Sequence, residues 1–229
     1  MKKWDEIYSL EFRLGLNERE IRDGYDLGVL AEVKERFKSL GFDIICYWDI
    51  VNICLTLKSK EYWDVIIEYL NIATEEYEIF NLCQCFMTKS AIDYAPYFID
   101  KIKKCKRGQQ MIQISYANVL IYTASPLYLD DYIDILHDED ISVVEPPLDD
   151  IRSWIFQCLY KIKSNKSEDV YLHFFNDDRF TARCIKGLGT LVNEKYRSLF
   201  VEYKNSEDYA TRKYSREALK KLDKQKEKK

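Results

Sequence analysis

Residues 211–222 repeat, about thirty positions on, a pattern already present at residues 181–191. Each copy follows an acidic pair, Asp177-Asp178 in one case and Glu207-Asp208 in the other, and each closes on leucine. A helix-long unit recurring at this period marks a stack of helical hairpins, because one hairpin cannot bury its apolar face alone. The chain is therefore expected to fold as an array of helices.

The same period runs upstream. Ile67-Glu68-Tyr69-Leu70, Ile99-Asp100-Lys101-Ile102 and Ile133-Asp134-Ile135-Leu136 share an apolar–charged–x–apolar step at spacings of about 32–34 residues. First helices are predicted from Ser59 and at 94–102, 127–136, 170–175 and 199–203. Their partners are predicted at 75–88, 109–123, 148–162, 178–192 and 208–222. Ser59 stands as an N-cap before Trp63, Ile66, Ile67 and Leu70, which share one helix face. Pro96 and Pro126 lie early in first helices, where a missing N–H costs least.

Before residue 59 the pattern changes. Asn17 with Glu20 approaches a capping box, and Leu27, Leu30, Val33 and Phe37 follow at helical steps until Gly41. Tyr8, Leu10, Phe12, Leu14 and Leu16 alternate with polar or small residues, which suits a short strand at 7–16. Residues 42–57 are nearly all apolar, and periodicity alone does not separate strand from helix there. A small α+β beginning, up to about residue 72, is the alternative to a helical one.

With 7 Gly and 4 Pro in 229 residues, turn markers are sparse, which favours helices over a many-stranded fold. The formal charge of −4 argues against a generally basic protein, and so against nucleic acid as partner. The first residues carry charge without an apolar run, and no stretch has the roughly 18 apolar residues of a membrane span. Seven scattered cysteines suit reduced core thiols. These observations predict a cytoplasmic protein.

The segments 177–191 and 208–222, with an Asp near the turn, a following Arg, small apolar positions and a closing leucine, resemble the HEAT/armadillo-like repeats of small bacterial proteins. Leu188-Gly189 matches the helix-end pair of that family, whereas Lys220 departs from it. Residues 40–52 look like a segment that precedes the first repeat in such proteins, which favours helix for most of 42–57. The resemblance covers about residues 28–225. It implies an all-α fold: a right-handed α-α superhelix, or HEAT-like solenoid, of about five helix pairs. Residues 1–58 would cap it, 59–225 would form the repeats, and 226–229 would be a frayed basic tail. Function sits in a site, not in an architecture, so the resemblance leaves activity open.

Catalytic equipment is thin. His137 and His173 are the only histidines and stand far apart in the repeat order. No Gly-rich phosphate loop or serine elbow is present. Cys83 and Cys85 fall on opposite sides of a helix and suit no shared metal, and Asp138-Glu139-Asp140 lacks the glycine and terminal glutamate of a calcium loop. No enzyme, metal or cofactor is expected.

Charge is more informative. Glu61, Asp64, Glu68, Glu75, Glu76 and Glu78 occupy residues 61–88 without any Lys or Arg. Nine further carboxylates lie within residues 108–151, again without a basic residue. Such blocks attract a cationic partner, or they are merely solvated outer faces. The family resemblance puts second helices on the concave face. There Tyr77, Asn81 and Gln84 share one helix face; Gln109, Gln113 and Tyr116 share the next; Asp150, Trp154 and Gln157 a third. These residues apart from Gln109, together with Asp138, Glu139 and Asp140, are the predicted partner-binding set, although Tyr116 and Trp154 could equally be core. The expected function is non-enzymatic: an acidic protein-binding solenoid for a basic protein, in one version an immunity-type inhibitor of a bacterial toxin. The alternative is a HEAT-like DNA-processing enzyme resembling alkyl-purine DNA glycosylases, with Trp154 and Asp150 at its centre.

Overall fold

The computed structural model describes residues 28–105, 108–139, 141 and 150–227. Among them are twelve α-helices and no strand. The strand expected at 7–16 and the helix start at 17–27 lie outside the described residues. The chain divides into two compact units between Ala91 and Ile92. The expected boundary between cap and repeats, at residue 58, falls inside the first of them.

The first unit holds α1 (Gly28–Ser39), α2 (Tyr47–Leu57), α3 (Lys60–Ile72) and α4 (Glu76–Gln84). The ambiguous segment 42–57 is a short lead followed by helix. Asp49 decides where that helix begins, because its Oδ2 accepts the N–H groups of Ile45 (2.8 Å) and Cys46 (2.9 Å). Helix α1 packs against α2, α3 and α4, burying Leu30, Val33 and Phe37 at steps of three and four. Glu78 of α4 is buried, and its Oε1 accepts the Val29 N–H at 2.9 Å. A carboxylate at a helix N-terminus satisfies an orphan donor and complements the dipole. Ser59 stands at the N-cap of α3 as expected, but its side chain makes no cap hydrogen bond.

The second unit holds α5 (Ala95–Lys104), α6 (Gln110–Tyr122), α7 (Leu129–His137), α8 (Arg152–Ile162), α9 (Glu168–His173), α10 (Thr181–Leu191), α11 (Arg197–Tyr203) and α12 (Tyr209–Lys226). They pair in order: α5 with α6, α7 with α8, α9 with α10 and α11 with α12. Second helices then pack on one another, α6 on α8, α8 on α10 and α10 on α12.

Repeated capping chemistry produces this regularity. A single 3-10 turn precedes each of α7, α9 and α11. Ser125, Ser164 and Asn193 cap those turns by accepting the N–H two residues on. Asp150 and Asp177 play the same part before α8 and α10, each accepting the N–H of the arginine two positions later. Asp208 caps α12 through the Thr211 N–H at 2.6 Å. The acidic pairs read in the sequence are thus turn closures.

Helix α10 packs closely against α9 and α12 at its two glycines. A Cβ on Gly187 would lie 2.3 Å from the Tyr171 ring of α9, and one on Gly189 would lie 2.8 Å from the Ala218 Cβ of α12. Tyr171 is fully buried, so its ring has nowhere to retreat. Alanine at position 187 would gain about 1 kcal/mol of helix propensity but incur roughly 1–3 kcal/mol of overpacking. A clash this deep belongs at the upper end of that range. Gly187→Ala is therefore expected to lower the midpoint of urea unfolding, and the double variant with Tyr171→Ala to suffer less than the sum of the two single changes.

Candidate functional site

The predicted partner-binding residues separate into three groups. On α4, Asn81 is buried and donates to the Tyr77 carbonyl (2.8 Å), while Gln84 donates to Asn81 Oδ1 (3.4 Å). These amides serve their own helix. On α6, Gln113 and Tyr116 are buried, and Tyr116 packs at 6.0 Å from Phe98. Trp154 and Gln157, on α8, line a cleft formed by described residues. Of the acidic trio, the Asp138 carbonyl accepts from Arg152 at 3.3 Å and Glu139 is exposed, whereas Asp140 lies outside the described residues.

Asp150 is buried rather than displayed. Arg152 Nη1 lies 3.9 Å from its carboxylate and Arg179 Nη1 3.7 Å from it, and Arg179 also binds Asp177 at 2.6 Å. Arg179 therefore ties the turn of its own hairpin to the turn before. Burial raises the Asp150 pKa despite both arginines.

Asp130, Asp131 and Asp134, without a basic residue near them along the sequence, are compensated in space. Lys103 of α5 bonds Asp131 at 3.0 Å and lies 3.8 Å from Asp134, and Lys166 reaches Asp130 at 3.3 Å. Stacked first helices bring a lysine of one hairpin beside the aspartates of another, which a linear count does not register. Such exposed bridges contribute about 0–1 kcal/mol each, but they do remove free negative potential.

The cleft lies along α8, α10 and α12 and encloses about 380 Å³. Its principal walls are Trp154, Gln157, Tyr160, Arg183, Lys186 and Tyr214. Tyr160 OH donates to the Arg183 carbonyl at 2.8 Å, fixing α8 to α10. Lys186 Nζ then sits 4.7 Å from the Tyr160 ring centroid and 5.2 Å from that of Tyr214. Two aromatic faces hold the ammonium by cation–π attraction. Burial lowers the Lys186 pKa, and Lys213, Arg183 and Lys221 lower it further, while Glu217 opposes them. No carboxylate among the described residues forms an ion pair with Lys186. The Trp154 indole N–H is buried and without a hydrogen-bond partner. The cleft thus offers a half-buried cation between aromatic faces, a setting suited to an anionic group.

Tyr160, Arg183, Lys186 and Tyr214 were missed in the sequence. The spacing that linked Trp154 to Gln157 reaches Tyr160 one turn later, and the echo at 181 and 211 brings Arg183 and Lys213 into register. Net charge hid them. Residues 150–229 carry 19 basic against 12 acidic groups, within a chain of formal charge −4.

The two histidines are neighbours, contrary to their separation in the sequence. Their ring centroids are 4.8 Å apart, with Phe174 against both. Both sit at the ends of first helices, α7 and α9, so stacking adjacent hairpins brings them together. Among the described residues no group of three His, Cys, Asp or Glu is placed to hold a metal, and no helix is long and apolar enough to cross a membrane. All seven cysteines are free thiols, five of them buried.

No family model matches the chain, and no curated protein matches its sequence. Functional conclusions therefore rest on the geometry.

Burial, then His173 and Arg152, lower the His137 pKa below 6.5, with Asp134 acting the other way. The neutral imidazole is the form that suits the fold. Its contribution is complete above the unfolded-state value and declines as pH falls from about 6.5. His137→Phe is expected to flatten the decline in thermal midpoint between about pH 7 and pH 5; an unchanged acid limb would assign that decline to carboxylates.

Proposed function

We propose that this chain is a non-enzymatic binding protein of HEAT-like solenoid architecture, and that its partner docks at the cleft of α8, α10 and α12. The observation carrying this reading is Lys186, an ammonium held between two tyrosine rings on the cleft wall with no ion-pairing carboxylate among the described residues. A cation kept in place by aromatic faces retains its charge for a ligand. An anionic group arriving there would pair with the Lys186 ammonium on the cleft wall. Aromatic and guanidinium groups in a concave site are the usual anchors of a binding surface.

The partner's charge follows from this choice. The acidic docking surface expected in the sequence loses support in the second unit, where Lys103, Lys166, Arg152 and Arg179 engage its carboxylates. A basic partner, such as a cationic toxin met by an immunity-type inhibitor, stands as a second reading in the first unit. There Glu61, Asp64 and Glu68 are exposed along one stripe of α3.

Biolayer interferometry against poly-glutamate and poly-lysine of equal length, at low salt, separates the two. The cleft reading expects poly-glutamate to bind, and Lys186→Glu to weaken that binding tenfold or more. Binding of poly-lysine alone would favour the acidic stripe and reject the cleft.

A further inference from the structure

The cleft reading can be taken one step further, to the chemical class of its occupant. We propose that the face formed by α8, α10 and α12 binds single-stranded nucleic acid, with the phosphodiester backbone on its cations and a base in the aromatic cleft. The inference rests on the cleft reading and adds the identity of the anion.

Cations extend beyond the cleft. Arg183 and Lys186 lie one turn apart on α10. On α12, Lys213 Nζ lies 5.9 Å from the Tyr214 ring centroid. Lys221, two turns further on, comes within 3.5 Å of the Gly189 carbonyl. Arg183, Lys213 and Lys221 each act electrostatically on Lys186, opposed there by the carboxylate of Glu217. Four cations tracking along two adjacent helices suit a chain of regularly spaced phosphates better than one carboxylate.

The aromatic groups supply the other half of the recognition. Trp154, Tyr160 and Tyr214 line a space of about 380 Å³, enough for a nucleobase and its sugar. Bases stack on such rings irrespective of sequence, and stacking with a tracking row of cations is how single strands are held without sequence readout. Gln157 adds an amide on the cleft wall able to meet a base edge or a phosphate. Duplex bases are already stacked and unavailable to the cleft, so the same geometry discriminates against double strands.

The formal charge of −4 argues otherwise only if charge is averaged over the chain. Residues 150–229 hold 19 basic and 12 acidic groups, and it is local charge that meets phosphate.

Fluorescence anisotropy of a fluorescein-labelled 15-mer of thymidylate, with the full chain at about 50 mM salt, tests the proposal. The strand is expected to bind, with log Kd rising against log salt at a slope near 3, since about 0.7 is contributed per phosphate neutralised. Lys186→Gln is expected to weaken binding several-fold and lower that slope. Lys186→Arg should restore most of both. Tyr214→Ala, on a partly exposed ring, should weaken binding about tenfold with the slope kept. Circular dichroism confirms that each variant is folded.

Four results would overturn the inference: no binding of the strand, equal binding of a 15-base-pair duplex, indifference to Lys186→Gln, or indifference to Tyr214→Ala. If poly-glutamate binds through Lys186 while the strand does not, the cleft reading survives and the nucleic-acid identity falls. If neither binds, both fall.

Discussion

Everything in the second unit depends on how closely α10 approaches its neighbours. Gly187 lets the Tyr171 ring of α9 pack onto the α10 backbone, and Gly189 admits Ala218 of α12 from another side. Helices separated by a glycine rather than a side chain bring their flanking residues nearer. The consequence on the cleft side is that side chains from three helices converge. Tyr160 of α8 reaches the Arg183 carbonyl, and Tyr214 of α12 reaches Lys186. A wider spacing would leave Lys186 between two rings it could not touch, and its ammonium would move freely in solvent.

The ends of the same helices carry a different kind of order. Asp150 and Asp177 close consecutive turns on their own arginines, and Arg179 then spans both carboxylates. Because Asp150 is buried, removing both arginines would leave an unpaired charge in poor solvent. Charged residues at the turns thus hold neighbouring hairpins together, whereas Lys186 on a second helix lies between two aromatic rings. The two sets are alike in composition and differ only in what lies opposite them.

That difference explains what the sequence could and could not disclose. Helix positions were legible from Ser59 onward because apolar residues recur at helical steps and because the capping serines and aspartates recur with them. Residues 42–57 were not decided by periodicity, since an all-apolar stretch has no face; Asp49, accepting two N–H groups, supplies the missing boundary. For the site, local spacing placed Trp154 and Gln157 on one helix face. It also gathered Asn81, Gln113 and Tyr116, which share faces in the same way but turn toward their own helix or the core. Nothing in a single helix tells these cases apart. Lys103 with Asp131, and His137 with His173, likewise meet only once hairpins are stacked.

The claim on which the account turns is that Lys186 is a half-buried, ring-flanked cation awaiting an anion. Reductive 13C-methylation of the lysines, followed by NMR titration with Lys186 assigned by substitution, measures this directly. The Lys186 methyl signals are expected upfield of the other lysines through the ring currents of Tyr160 and Tyr214. Their titration should be displaced below the ordinary lysine value of 10.5 and shift back upward when a polyanion is added. Signals at the position of exposed lysines, titrating normally and unmoved by polyanion, would contradict it.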